Sequence, residues 1–136
     1  MAQFLWTDDL YTGNAFIDDD HRKLIKMVNA LFDSMTTGQA NDIISKVLNN
    51  LIIYTREHFG REEAEMQRIR YVASISHKIE HTKLIKQVAE LKAALDDGQR
   101  INVLAVSSFL GDWLRNHILM VDKKLAAALR EPMQVA

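Results

Sequence analysis

There is no cysteine in this 136-residue chain, which excludes disulfides, iron–sulfur clusters and thiolate zinc sites and leaves nitrogen and oxygen as the possible metal ligands. Pro132 is the only proline and there are five glycines, so little interrupts helix, while plentiful Leu, Ile, Lys, Glu and Ala favour it. Neither sign of charge dominates: 17 basic and 18 acidic residues leave a formal net charge of −1. They are intermixed, so there is no electrostatic case for nucleic acid or an anionic membrane. No apolar run is long enough to span a bilayer, and Met1 to Leu10 lacks the basic-then-apolar pattern of a signal peptide. These absences predict an all-α protein of the cytoplasm, with no nucleic-acid partner and no membrane insertion.

What is present is one domain's length of amphipathic segments, residues 1–136, able to bury one sizeable core. From Met1 to Ile17 the apolar residues Phe4, Leu5, Trp6, Tyr11, Phe16 and Ile17 keep no period, and Gly13-Asn14 reads as a turn, so 1–17 is expected to be an extended arm. Asp18 or Asp19 is then the expected cap of a first helix with Leu24, Ile25, Val28, Leu31, Phe32 and Met35 on its buried face, ending at Gly38. A second helix starts near Asn41 or Asp42. Its seam, Ile44, Leu48, Leu51, Thr55, His58 and Glu62, advances in steps of four and three. After a connection within 67–76, His77, His81, Leu84, Val88, Leu91 and Leu95 repeat that rhythm until Gly98. Asn102 can cap a last helix burying Val103, Val106, Leu110, Leu114, His117, Val121 and Leu125, and stopping before Pro132. Short connections make successive helices antiparallel, which predicts an up-down-up-down four-helix bundle over about 18–131.

Singly, a histidine on an apolar face is most simply a hydrogen-bonded core residue, and the His77/His81 pair at i,i+4 is only suggestive. Taken together they say more. All five histidines of the chain fall on inward faces, spread over all four helices. Glu62 shares a face with His58, and Asp122 follows His117. Burying these groups unpaired costs several kcal/mol each, which cations at their centre would remove. Asp122 is the awkward member, because five residues of straight helix rotate it about 140° from His117. Either the two straddle the seam and Asp122 reaches across a regular helix, or a π-type turn, which adds a residue, brings them into line. Glu57, Glu63 and Glu65 are expected to be solvated.

The arrangement of His21, His58-Phe59-Gly60-Arg61-Glu62, His77-Lys78-Ile79-Glu80-His81 and His117-Ile118-Leu119-Met120-Val121-Asp122 resembles the hemerythrins, in particular their single-domain bacterial members. Trp6, the HF-x-x-EE segment and Trp113-Leu114 extend the likeness over nearly the whole chain. The resemblance implies two iron ions. His77, His81 and His117 would bind one, His21 and His58 the other, and Glu62 and Asp122 would bridge them together with an oxo or hydroxo group. It also implies reversible dioxygen binding, with Trp113, Leu114 and Ile118 forming an apolar oxygen pocket.

Six-coordinate iron gives the same picture: these ligands leave roughly one position open, on the iron with two histidines. Carboxylate-rich di-iron bundles use paired Glu-x-x-His motifs that support higher oxidation states. Here no Glu lies three residues before any histidine, which favours binding that can reverse. The expectation is a monomeric, non-enzymatic carrier or store of oxygen, serving oxygen-consuming enzymes. The alternatives are a sensor of oxygen, nitric oxide or redox state, a di-iron oxidase, peroxidase or nitric-oxide reductase, and a metal-free structural bundle. Zinc or manganese would accept the same ligands, so iron rests on the resemblance.

Overall fold

The structure, a computed structural model, describes residues 4–100 and 102–130. The start of the arm, the side chain of Val103 and the stop at Pro132 lie outside the described residues. Four rods make up the fold: α1 Ala15–Thr36, α2 Asn41–Arg68, α3 Ser74–Asp96, and a fourth built from α4 Val103–His117, a π turn Ile118–Asp122 and α5 Lys123–Arg130. Short connections make it an up-down-up-down bundle, in which α1 packs on α2 and α4, and α2 on α3. The expected seams are the buried ones, with Leu91, Val106 and Val121 only half-buried. Asn102 caps the fourth rod through its side chain to the N–H of Ala105.

One boundary differs from the sequence reading. The first helix starts at Ala15, not after Asp18 or Asp19, because the Asn14 side chain accepts from the N–H groups of Phe16 and Ile17. Asp18 is instead buried and takes hydrogen bonds from the hydroxyl and N–H of Thr12 and the N–H of Gly13. It ties the arm to the helix. Gly13 has φ +85°, a backbone conformation that favours glycine, and a Cβ there would push the Arg130 guanidinium aside. That guanidinium donates to the carbonyl of Thr12 at 2.5 Å.

The rest of the arm lies against α1 and α4. The Asn29 amide pairs with the backbone N–H and C=O of Phe4, both at 2.9 Å. Arg22 stacks over Trp6 and Tyr11, and Arg115 pairs with Asp9 at 2.5 Å. Leu10, in the short 3-10 turn Asp8–Leu10, is fully buried in the main core. That core runs through Leu24, Leu31, Leu48, Leu51, Leu84, Val88, Leu110 and Leu114, and a smaller one joins Ile17, Met66, Leu125 and Ala126. Ile17, Met66 and Leu125 stand one helical turn from His21, Glu62 and Asp122. The polar residues of the four rods therefore occupy a layer between two apolar ones, each large side chain of which contributes about 1.5–3 kcal/mol on burial.

Candidate metal centre

Helical spacing brings all seven sequence-predicted ligand residues into that layer. His21 comes from α1, His58 and Glu62 from α2, and His77 and His81 from α3. His117 ends α4 and Asp122 ends the π turn. None is more than 3% exposed. The π turn has the effect anticipated from the five-residue spacing: an i→i+5 turn stacks Asp122 over His117 as an α turn stacks i+4. Asp122 Oδ1 is 3.0 Å from His117 Nε2.

The two carboxylates face two ways. Oδ1 of Asp122 lies 3.1 Å from His77 Nε2 and 3.0 Å from His117 Nε2, while its Oδ2 is 2.7 Å from His21 Nε2. Oε1 of Glu62 lies 3.2 Å from His81 Nε2 and 3.5 Å from His77 Nε2, while its Oε2 is 3.4 Å from His58 Nε2. Ligand atoms thus fall into two groups, each within 4.8 Å: one of His77, His81 and His117, one of His21 and His58, both sharing Glu62 and Asp122.

Most of these inward atoms have no hydrogen-bond partner: Nε2 of His58, His77, His81 and His117, both oxygens of Glu62, and Oδ1 of Asp122. Orphaned buried polar atoms are costly, and this many in one place is what a metal site presents when its ion is left out. The donor set, imidazole and carboxylate without thiolate, suits iron. In the metal-free chain protons fill the same need. Burial alone would lower the His58 pKa, but hydrogen bonding to Asp20 and Glu62 raises it to about 10. Burial also opposes the charge on His77, which Asp122 and Glu62 nonetheless raise to about 9. Burial and Asp122 would raise Glu62, yet His58 and His77 hold it at about 2. Burial would raise Asp122, yet His117, His21 and His77 together hold it well below its ordinary value.

Three carboxylates not foreseen as part of the site orient the imidazoles from behind. Asp20 accepts from His58 Nδ1 at 2.8 Å, Glu63 from His81 Nδ1 at 2.9 Å, and Glu80 from His117 Nδ1 at 3.1 Å. Each bond puts the proton on Nδ1 and leaves Nε2 bare toward the centre. Glu63 is therefore not simply solvated, as expected from sequence. Its bond to His81 holds it half-buried. The available signal was adjacency, since Asp20, Glu63 and Glu80 each neighbour a ligand residue in the sequence.

A cavity of about 30 Å³ adjoins the group of His21 and His58, reaching also His117 and Asp122, and is otherwise walled by residues such as Leu24, Leu51, Phe59, Leu84, Trp113 and Leu114. It is large enough for a diatomic guest and little more. Trp113 and Leu114 line it as anticipated. Ile118 is fully buried in the main core but is not part of this wall. The one hydroxyl in the lining, of Thr55, donates to the carbonyl of Leu51 at 2.6 Å.

The family model of the Hemerythrin HHE cation binding domain matches residues 12–129. Bacteriohemerythrin of Methylococcus capsulatus is 40% identical, over 90% of this chain and 94% of that protein. The bacteriohemerythrin of Pseudomonas paraeruginosa is 34% identical, over 98% of this chain and 86% of its own length. Among solved structures, wild-type hemerythrin superposes with a TM-score of 0.88 at 37% identity, covering 96% of this chain and 100% of that one.

Proposed function

Because the chain belongs to the hemerythrin family, we propose that it binds dioxygen reversibly at a non-haem di-iron centre and acts as a carrier or store, not as an enzyme. One observation carries this reading onto these residues: Glu62 and Asp122 each turn one oxygen toward the three-histidine group and the other toward the two-histidine group. His77, His81 and His117 would hold one iron, His21 and His58 the other, with both carboxylates bridging. When bound, the iron pair supplies the electrons and the open position that dioxygen requires.

The protein's own part is to position, enclose and withhold protons. Asp20, Glu63 and Glu80 fix the ring tautomers. Trp113 lies flat on His117, 4.4 Å between centroids and 14° between planes, and closes one side of the cavity. Leu114 and Leu24 keep water from the ligand position beside His21, and Thr55 spends its proton on its own helix. A pocket walled mostly by apolar side chains, its one hydroxyl already spent, favours release of the guest intact over chemistry upon it.

The same reading takes residues 1–136 as a single domain of this kind, working as a monomer in the cytoplasm beside oxygen-consuming enzymes. Among the described residues no helix is long and apolar enough to cross a membrane. The deciding experiment is iron analysis with an optical spectrum of the reconstituted protein taken anaerobically, in air and after purging. About two irons per chain and a spectrum that returns on purging are expected. A spectrum that never returns overturns reversible carriage.

A further inference from the structure

The three orienting carboxylates form a sequence around the bundle. Asp20 of α1 holds a histidine of α2, Glu63 of α2 holds one of α3, and Glu80 of α3 holds one of α4. They are not equivalent. The side chains of Glu63 and Glu80 are 33% and 44% exposed, but that of Asp20 is only 8% exposed.

Asp20 is also the only one of the three with further donors on it. Its Oδ2 takes Arg61 Nε at 2.9 Å besides His58 Nδ1, and its Oδ1 takes the Tyr54 hydroxyl at 2.8 Å. The Arg61 guanidinium lies over the Tyr54 ring at 5.5 Å. Tyr54, His58 and Arg61 stand one turn apart along α2, so all three reach one carboxylate of α1. That carboxylate is adjacent in the chain to His21, the other histidine of the same group. The ring of His21 has no such support, its Nδ1 being buried without a partner.

We infer that Asp20, locked by Arg61 and Tyr54, is the positioning residue that sets occupancy of the two-histidine iron subsite independently of the three-histidine one. The reasoning is one of determinacy. Three imidazoles from α3 and α4 define a site even if one ring wavers. Two imidazoles from different helices do so only if both rings and the α1–α2 spacing are fixed, and the Asp20 cluster fixes the ring of His58 and that spacing together. Loss of such an orienting partner generally lowers metal affinity about 10–100-fold.

This inference rests on the di-iron reading, and the test separates the two. Metal-free wild type, Asp20→Ala, Asp20→Asn, Arg61→Gln and Glu63→Gln are titrated anaerobically with ferrous iron, reading bound iron per chain and the affinity of each equivalent. The melting temperature of each metal-free protein is measured alongside. Asp20→Ala should bind its first iron within about threefold of wild type and its second about 10–100-fold more weakly. Asp20→Asn, which keeps an acceptor oxygen, should recover part of that loss. Arg61→Gln should weaken the second equivalent by less than Asp20→Ala, and it keeps the question answerable if the alanine variant does not fold. Glu63→Gln, whose partner His81 belongs to the three-histidine subsite, should weaken the first equivalent more than the second. Wild type taking fewer than two irons overturns the di-iron reading and this inference with it. Wild type taking two, with Asp20→Ala also taking two at normal affinity or losing both equally, overturns this inference alone. A lower melting temperature with unchanged second-site affinity would make Asp20 a folding residue only, and equally overturns it.

Discussion

Asp122 stands five residues beyond His117, yet its carboxylate oxygen comes within 3.0 Å of the His117 ring, because the backbone between them makes a π turn. The extra residue of that turn is spare in a definite sense. If one residue is removed, Asp122 follows His117 at i+4, which an ordinary α turn stacks on the same face. Met120 is 63% exposed and is the residue to remove. Its deletion should leave a continuous fourth helix, about two irons per chain, and a melting temperature at or above that of wild type. Circular dichroism and iron analysis check this, and loss of an iron would mean the π geometry itself is needed.

Glu62 reaches both ligand groups, so its removal should cost more than half a site. Glu62→Ala is expected to lower iron content well below two per chain, with Glu62→Gln between it and wild type because one bridging oxygen remains. Iron analysis after desalting reads the result. Unchanged loading in Glu62→Ala would count strongly against the assigned bridge.

Leu114 is buried, and its side chain helps separate the ligand position from water. Replacing it with Asn, similar in size but able to donate a hydrogen bond or hold a water, should leave two irons bound. Oxidation to the ferric form should quicken by roughly tenfold, or about 1.4 kcal/mol off the barrier. The decay of the aerobic spectrum gives the rate. An unchanged rate would mean the wall at this position does not protect the guest.

Metal-free protein should show an inverted pH dependence. His58 and His77 are raised from 6.5 to about 10 and about 9, so the stability they confer is complete below about pH 6.5 and is lost as pH climbs through those values. Glu62 is lowered from 4.5 to about 2, and its contribution is present above about pH 4.5 and lost as pH falls toward 2. The metal-free chain should therefore melt highest between about pH 4.5 and 6.5. Iron must displace the imidazole protons, so its stabilising effect should grow over the alkaline range in which the metal-free chain weakens. Melting curves with and without iron from pH 5 to 9 would show the two trends diverging, and parallel curves would contradict it.

The inward histidines were legible in the sequence because helix period alone decides which face a residue takes. For Asp122 the conflict between period and chemistry left two readings, a straddled seam or a π turn, and the backbone makes the π turn. The outward partners were less legible. Whether Glu63 meets His81 depends on how closely α2 and α3 pack, and no spacing within one helix records that. The start of α1 was misplaced for a related reason. Asp18 has the chemistry of a cap, but the chain doubles back at Gly13 and presents Thr12 to it, while Asn14 takes the capping position. Ile118, expected in the pocket from the resemblance, is buried in the same core as Leu114 without lining the cavity.

The arm bears on how the molecule comes into being. Asp9 is held by Arg115, and the carbonyl of Thr12 by Arg130, across more than a hundred residues. The arm leaves the ribosome just ahead of α1 and can pair with Asn29 and Arg22 there, but Arg115 and Arg130, which complete its seating, follow more than a hundred residues later. Before the fourth rod emerges, α1 to α3 can present His21, His58, Glu62, His77 and His81, without either His117 or Asp122 to complete them. A nascent chain in that state offers iron a partial, solvent-open set of ligands, the condition under which ferrous iron oxidises unproductively. Full seating of the arm and closure of the metal layer both await the fourth rod, so a correctly loaded centre cannot form until that rod has left the ribosome.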